Sequence, residues 1–321
     1  MDRLLFILFV SFGSLALGYL VQRAAANIES LPTKIIDRIS IKLKLFAIVI
    51  LQPVAIIYSF WTLTIQDSEL FVLPLLGILT LLTGGASSLV QTKLFHIPAS
   101  RAASLFVSGM FCNIGIFGGL IAFVLFGPLG FGIVQLFRVF EEIIYYAIGF
   151  PMSNMISKGT ASQFRIRLSL IAERPIIFIP ISAIIIGFLL NALPVSAPAV
   201  YGSISDIVVP VMTAILGFGI GMSLKVAKTR DYHKEIILVL ITKYVIIPMV
   251  IIPLAYLFGM ANIMDGVPFK VIIIVSFMPT AFMALVPPVL YGFDLDLANS
   301  AWLVTTLALL IVFPILFLIV T

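Results

Sequence analysis

Charge is scarce in this sequence. Lys, Arg, Asp and Glu make up 10% of its 321 residues against 62% apolar residues, and the mean hydropathy is +1.23. A soluble domain carries about 25% charged and about 45–50% apolar residues, so a folded chain of this composition has too little polar surface to face water all round. A single cysteine, Cys112, excludes an internal disulfide. Two histidines, His96 and His233, cannot build a Cys/His metal centre with it. No zincin pair, phosphate-binding loop or nucleophile elbow occurs. No metal, no cofactor and no enzymatic activity are therefore expected. The sequence pI near 9.3 would suit a nucleic-acid partner, but the basic residues lie between hydrophobic runs without an interleaved aromatic patch, so none is expected.

What fills the chain is a series of apolar runs. A helix needs roughly 20 mostly apolar residues to cross the hydrocarbon core of a bilayer. Runs of that kind occupy 4–21, 44–63, 70–89, 103–126, 130–155, 175–193, 204–222, 236–258, 271–291 and 298–320. The first has no small-residue cleavage site after it and reads as a retained helix. The fold class expected is an all-α polytopic membrane protein with about ten transmembrane helices, its partner the lipid bilayer.

Lys and Arg cluster in alternate connections. Arg23, Lys34, Arg38, Lys42 and Lys44 follow the first run, Lys93 and Arg101 the third, Lys158, Arg165, Arg167 and Arg174 the fifth, and Lys225, Lys228, Arg230 and Lys234 the seventh. The intervening connections, around Asp67, 127–130 and 194–202, carry none; Arg3 and Lys270 are the exceptions. By the positive-inside rule the odd connections are cytoplasmic and both termini extracytoplasmic, in the cell's inner or plasma membrane. The ninth connection holds Asp294 and Asp296 and no cation.

Three short echoes recur about half a chain apart. Leu17-Gly18-Tyr19-Leu20 is echoed by Ile186-Gly187-Phe188-Leu189, Leu125-Phe126-Gly127 by Leu290-Tyr291-Gly292, and Ile148-Gly149-Phe150-Pro151 by Ile311-Val312-Phe313-Pro314. Five runs per half is an odd number, so the halves would lie in opposite orientations: a first repeat over 1–157, a cytoplasmic connection over 158–174 and an inverted second repeat over 175–321. Inverted repeats place the substrate site of many carriers near the midplane, at helices interrupted by Gly or Pro.

The fourth and ninth runs are interrupted in that way. The fourth contains Ser108-Gly109-Met110-Phe111-Cys112-Asn113-Ile114-Gly115-Ile116-Phe117-Gly118-Gly119, the ninth Met278-Pro279-Thr280-Ala281 and then Pro287-Pro288. Glycine weakens a helix and proline removes one of its hydrogen bonds. Backbone freed at membrane depth needs protein, water, ion or ligand as partner. Cys112-Asn113-Ile114-Gly115-Ile116-Phe117-Gly118 resembles the asparagine–glycine segment of the auxin efflux carrier family, which includes plant PIN-type carriers and bacterial malate or malonate permeases. Phe277-Met278-Pro279-Thr280-Ala281 resembles its second-half counterpart. The family's first motif often continues into a proline where this chain has Gly119-Leu120. The resemblance implies two five-helix inverted repeats, with broken helices four and nine crossing at the binding site, and transport of carboxylates.

Ionisable residues at membrane depth are functional candidates by default. Arg138, Glu141 and Glu142 fall in the fifth run, at spacings that put either carboxylate within reach of the guanidinium on one helix face. One would neutralise Arg138 and the other would carry a proton or contact a cation; a structural ion-pair cluster is the competing reading. Lys243, two turns into the eighth run, either snorkels to the interface or attracts an anion. Asn113, whose amide both donates and accepts, is the leading substrate contact, with Gly115, Pro279, Thr280 and Gln135 beside it. Gly84-Gly85-Ala86-Ser87-Ser88 reads as a close-packing face. These features point to a secondary transporter of small organic anions, working by alternating access with H+ or Na+ as coupling ion. A sodium-coupled symporter of the bile-acid type and a non-transporting sensor or lipid-binding module on the same fold are the alternatives, and the sequence leaves a homodimer open.

Overall fold

The computed structural model describes residues 2–26, 33–63, 68–159, 178–193, 196–198, 200–224 and 229–321. Of the residues singled out above, Asp67, Arg165, Arg167, Arg174, Lys225 and Lys228, the start of the 175–193 run and nearly all of the 158–174 connection lie outside them. Among the described residues the chain is helical, with one isolated antiparallel bridge. In lipid each backbone N–H and C=O must be satisfied within its own segment, which selects helices for runs this apolar.

The helices are α1 (Asp2–Ala25), α2 (Ile35–Trp61), α3 (Glu69–Leu94), α4 (Ala99–Met110), α5 (Gly119–Phe137) and α6 over 141–158. They continue with α7 (Phe178–Ala192), α8 (Val200–Gly221), α9 (His233–Leu257), α10 (Val267–Ser276), α11 (Phe282–Tyr291) and α12 (Leu295–Val320). Seven helical stretches among the described residues are long and apolar enough to cross a membrane. The chain is an integral, multi-pass membrane protein. Seven rather than ten pass that test because the fourth and ninth runs are cut into shorter pieces, the second piece of the fourth continues into the fifth as one stretch, Ile114–Lys158, and the described part of the sixth, Phe178–Ala192, is 15 residues long. That stretch is itself interrupted at Gly127 (φ 64°, ψ −154°) and by a turn over 138–140.

The helices form two compact units, each drawing on both halves of the sequence. The first comprises Met1–Gln66, Gly115–Gln135 and Pro175–Lys225, and so contains α1, α2, most of α5, α7 and α8. Its helices meet through glycine. A Cβ on Gly18 would stand 2.1 Å from the Phe218 carbonyl oxygen and one on Gly221 2.1 Å from that of Leu15, so the backbones of α1 and α8 touch at two points. A Cβ on Gly187 would stand 2.6 Å from Phe60 Cβ and 2.8 Å from the Ile57 oxygen, which seats α7 on α2 in the same manner. Small residues let membrane helices approach until dispersion forces replace the hydrophobic drive that lipid removes. Among the described residues polar ties include Ser40 Oγ donating to Gly219 O (2.6 Å), Lys44 Nζ to Ser223 Oγ (3.2 Å), and the Asn191 amide to Trp61 O (2.7 Å) and Leu63 O (2.9 Å) at the end of α2.

The second unit comprises Asp67–Ile114, Leu136–Arg174 and Val226–Thr321. The stretch Gly84–Ser88 packs closely, as its composition implies. A Cβ on Gly84 would stand 2.1 Å from Gly109 O, and one on Gly109 2.0 Å from Ser88 Oγ. Polar side chains also bind α3 to α9, where Gln91 Nε2 donates to Leu238 O (3.2 Å) and Thr242 Oγ1 (3.0 Å). At one end Arg101 pairs with Glu235 (2.9 Å) and lies 3.8 Å from Asp294, with its guanidinium over the Tyr232 ring. The Asp294 carboxylate caps α12 through the Leu297 N–H (2.9 Å). The acidic ninth connection thus answers the basic third, and both meet the seventh at one end of this unit. Burial, then the Asp294 carboxylate, pushes the Tyr232 hydroxyl up to about 12.

Candidate functional site at the helix crossing

Two interrupted helices of the second unit cure each other's breaks. Helix α4 ends at Met110 and Phe111 turns extended (φ −84°, ψ 123°). Helix α10 ends at Ser276, and the chain stays non-helical until Phe282. The two non-helical pieces pair antiparallel through a bridge between Cys112 and Thr280. Asn113 N–H donates to Pro279 O (2.8 Å) and Ala281 N–H to Phe111 O (3.0 Å). An unpaired backbone group at this depth costs several kcal/mol; pairing the two breaks removes that cost from both.

Side chains supply what the pairing leaves over. Thr280 Oγ1 donates to Ser108 O (2.8 Å), one of the carbonyls that a helix end leaves without an internal partner. Thr305 Oγ1, from α12, accepts from Thr280 N–H (3.2 Å). Tyr145 Oη accepts from Cys112 N–H (2.9 Å) and faces two acceptors, Glu141 Oε1 (2.7 Å) and Cys112 O (3.1 Å), with one proton to give. Lys243 Nζ donates to Phe111 O (2.8 Å) and lies 3.0 Å from Cys112 Sγ. Phe111 stacks on Tyr145 with centroids 3.9 Å apart. Two of the contributing segments carry π-helical turns, at Tyr145–Gly149 and Thr242–Ile246, a local geometry that is frequent at functional sites.

The residues named from sequence separate into two groups. Asn113, Pro279 and Thr280 are together at the crossing, and all three are buried. Asn113 is tied through its backbone, and its Nδ2 is buried without a hydrogen-bond partner among the described residues. Gly115 and Gln135 belong to the first unit; Gln135 is buried, and its Nε2 likewise has no partner among the described residues.

The charge cluster differs from the single helical face expected of it. Arg138 lies in the turn between α5 and α6, where Glu141 N–H donates to Arg138 O (2.8 Å), so the pairing is across a helix break. Arg138 Nε pairs with Glu141 Oε2, while Glu142 is half-buried one residue on. Glu141 is therefore held from both sides, by Arg138 and by Tyr145. Lys243 does not snorkel: it is fully buried and turned to the crossing. Tyr145 was not singled out by sequence, although it lies four residues after Glu141, a spacing that puts the two on one helix face.

No protein-family model matches the chain. Over 250 residues, 77% of this chain and 78% of the relative, it is 22% identical to a protein of Methanothermobacter thermautotrophicus (strain Delta H) described as an uncharacterized transporter.

Proposed function

We propose that this protein is a secondary transporter of small organic anions, carboxylates above all, and a relative of the auxin efflux carriers. The observation that carries the reading is the crossing: two helices broken at membrane depth, paired backbone to backbone, with the Asn113 amide buried beside them and its Nδ2 unpartnered among the described residues. A buried donor without an acceptor costs about 1–3 kcal/mol, a cost that a carboxylate oxygen would offset. Asn113 and the broken backbone then hold the anion, and Glu141 or Glu142 carries any coupled proton. The distant likeness to an archaeal protein described as a transporter supports the class and not the substrate. With no nucleophile, metal or cofactor motif in the sequence, a non-enzymatic role fits best.

The inverted-repeat architecture with ten helices belongs to the same proposal. The first unit holds runs one, two, six and seven, the end of four and the start of five; the second holds three, eight, nine, ten, the start of four and most of five. Runs one and six, two and seven, and three and eight therefore enter the units as equivalent pairs, while four is divided where nine is not. The bridged residues Cys112 and Thr280 are 168 positions apart, and Gly18 and Gly187, which make corresponding helix contacts, are 169 apart. Gly127 and Gly292, the third matched pair, both take positive φ. The positive-inside pattern puts the joined third, seventh and ninth connections on the cytoplasmic side and both termini outside.

Uptake and counterflow of labelled malate, malonate and indole-3-acetate in proteoliposomes, under imposed proton and sodium gradients, test the reading. Saturable flux of at least one, lost in Asn113→Ala, is expected. No flux under any gradient would move the weight to a sensor on the same fold.

A further inference from the structure

Lys243 is a fully buried charge that the proposed mechanism leaves unused. It stands ten residues into α9, about 15 Å along the axis at the helical rise, roughly half the thickness of a hydrocarbon core. It is fully buried, and no carboxylate lies within ion-pair distance of it among the described residues. Its partners are Phe111 O at 2.8 Å and Cys112 Sγ at 3.0 Å. Phe111 is the first residue past the end of α4, and its carbonyl also accepts from Ala281 N–H. The ammonium thus caps the negative end of a half-helix dipole and an unwound carbonyl.

Carriers built on broken helices use those same features, half-helix C-termini and unwound carbonyls, to coordinate their coupling cation. Here a side chain of the protein is already there. We infer that Lys243 is a tethered cation in the place where a coupling metal ion would bind, so the crossing is complete without sodium. Neutralising it converts the crossing into a site for a small alkali cation. The idea rests on the transport reading for its purpose, though not for its test.

Lys243→Gln keeps an N–H for Phe111 O and removes the charge. Thermal unfolding of purified wild-type and variant protein is followed while sodium chloride replaces N-methyl-D-glucamine chloride at constant ionic strength, and malate binding is measured at both ends of the titration. Wild type and Lys243→Arg should be indifferent to the exchange. Lys243→Gln should unfold at lower temperature without sodium, regain stability saturably as sodium is added, and bind malate about tenfold more weakly without sodium than with it, the loss expected for one charge-assisted contact. Saturable sodium stabilisation of wild type, or a Lys243→Gln protein indifferent to sodium, lithium and potassium alike, overturns the inference. Should Lys243→Gln not fold, Lys243→Met purified in high sodium is read in its place, and if that too fails the wild-type titration decides alone. Wild type that neither binds nor moves any anion, beside a Lys243→Gln protein that sodium stabilises, would refute the transport reading and leave the cation site standing.

Discussion

The two units solve the same problem, holding helices together in lipid, by different physics. The first relies on close approach: at Gly18, Gly187 and Gly221 the absence of a side chain lets one helix backbone rest on the next element, and its described helices contain no broken backbone pair like that at 112 and 280. The second adds irregular backbone at depth and must satisfy it, so Ser108, Phe111, Cys112 and Asn113 are answered one by one from Thr280, Lys243, Tyr145, Ala281 and Pro279. Contact by shape tolerates no added volume and little depends on any one polar group. Contact by polar satisfaction is the reverse. A unit of the second kind can also exchange a protein partner for a ligand, which places the candidate site there.

That contrast can be tested by substitution. Gly18→Leu or Gly187→Leu should have the largest effect, about 3 kcal/mol or more from overpacking against backbone, read as loss of the monodisperse peak in detergent; tolerance of either would show that the first unit is not packed backbone to backbone. Next comes Thr280→Val, of nearly the same volume, which strips Ser108 O of its donor and should cost about 1–3 kcal/mol. Ser40→Ala in the first unit should cost about 1 kcal/mol or less, and equal shifts in unfolding temperature would erase the distinction between the units.

Backbone effects follow from Gly127 and Gly292, two of the five described glycines at positive φ, neither of which has an atom within 4 Å of where a Cβ would stand. Gly127 combines φ 64° with ψ −154°, a region essentially restricted to glycine, so Gly127→Ala should cost about 1–3 kcal/mol. Gly292 (φ 72°, ψ 31°) is merely left-handed, and Gly292→Ala should cost about 1 kcal/mol. Thermal unfolding of the pair should preserve that order. The smallest effect is alkaline. Because the folded hydroxyl of Tyr232 is raised from 10.0 to about 12, its contribution to stability is complete below pH 10 and is lost as pH climbs through about 12. Unfolding midpoints across that window should fall more steeply in wild type than in Tyr232→Phe.

The breaks were legible approximately, because the glycines near 115 and proline at 279 weaken the helix locally, although Gly109 itself lies inside α4. Their pairing was not: Asn113 N–H reaches Pro279 O across more than half the chain, and no local rule predicts which freed donor meets which freed acceptor. The charge cluster shows the same limit. A spacing of three correctly brings Arg138 to Glu141, yet the pair spans the turn over 138–140 instead of one continuous helix face, and the Tyr145 hydroxyl that holds the other carboxylate oxygen also bonds Cys112, 33 positions away. For Lys243 the two readings open in sequence differed only in rotation about the α9 axis, and packing against the crossing decides that rotation.

Composition and periodicity by themselves determined that this chain lives in lipid, that it is helical, and where its helices weaken. Those properties are sums over neighbouring residues: transfer from water, internal hydrogen bonding, and the local cost of Gly and Pro. Tertiary structure alone decided that the weak points meet, that Arg138 and Glu141 pair across a helix break, and that a lysine at membrane depth turns inward. Each of those is settled by a partner's position in space, because a buried polar group takes whichever complement the packed helices bring within about 3 Å.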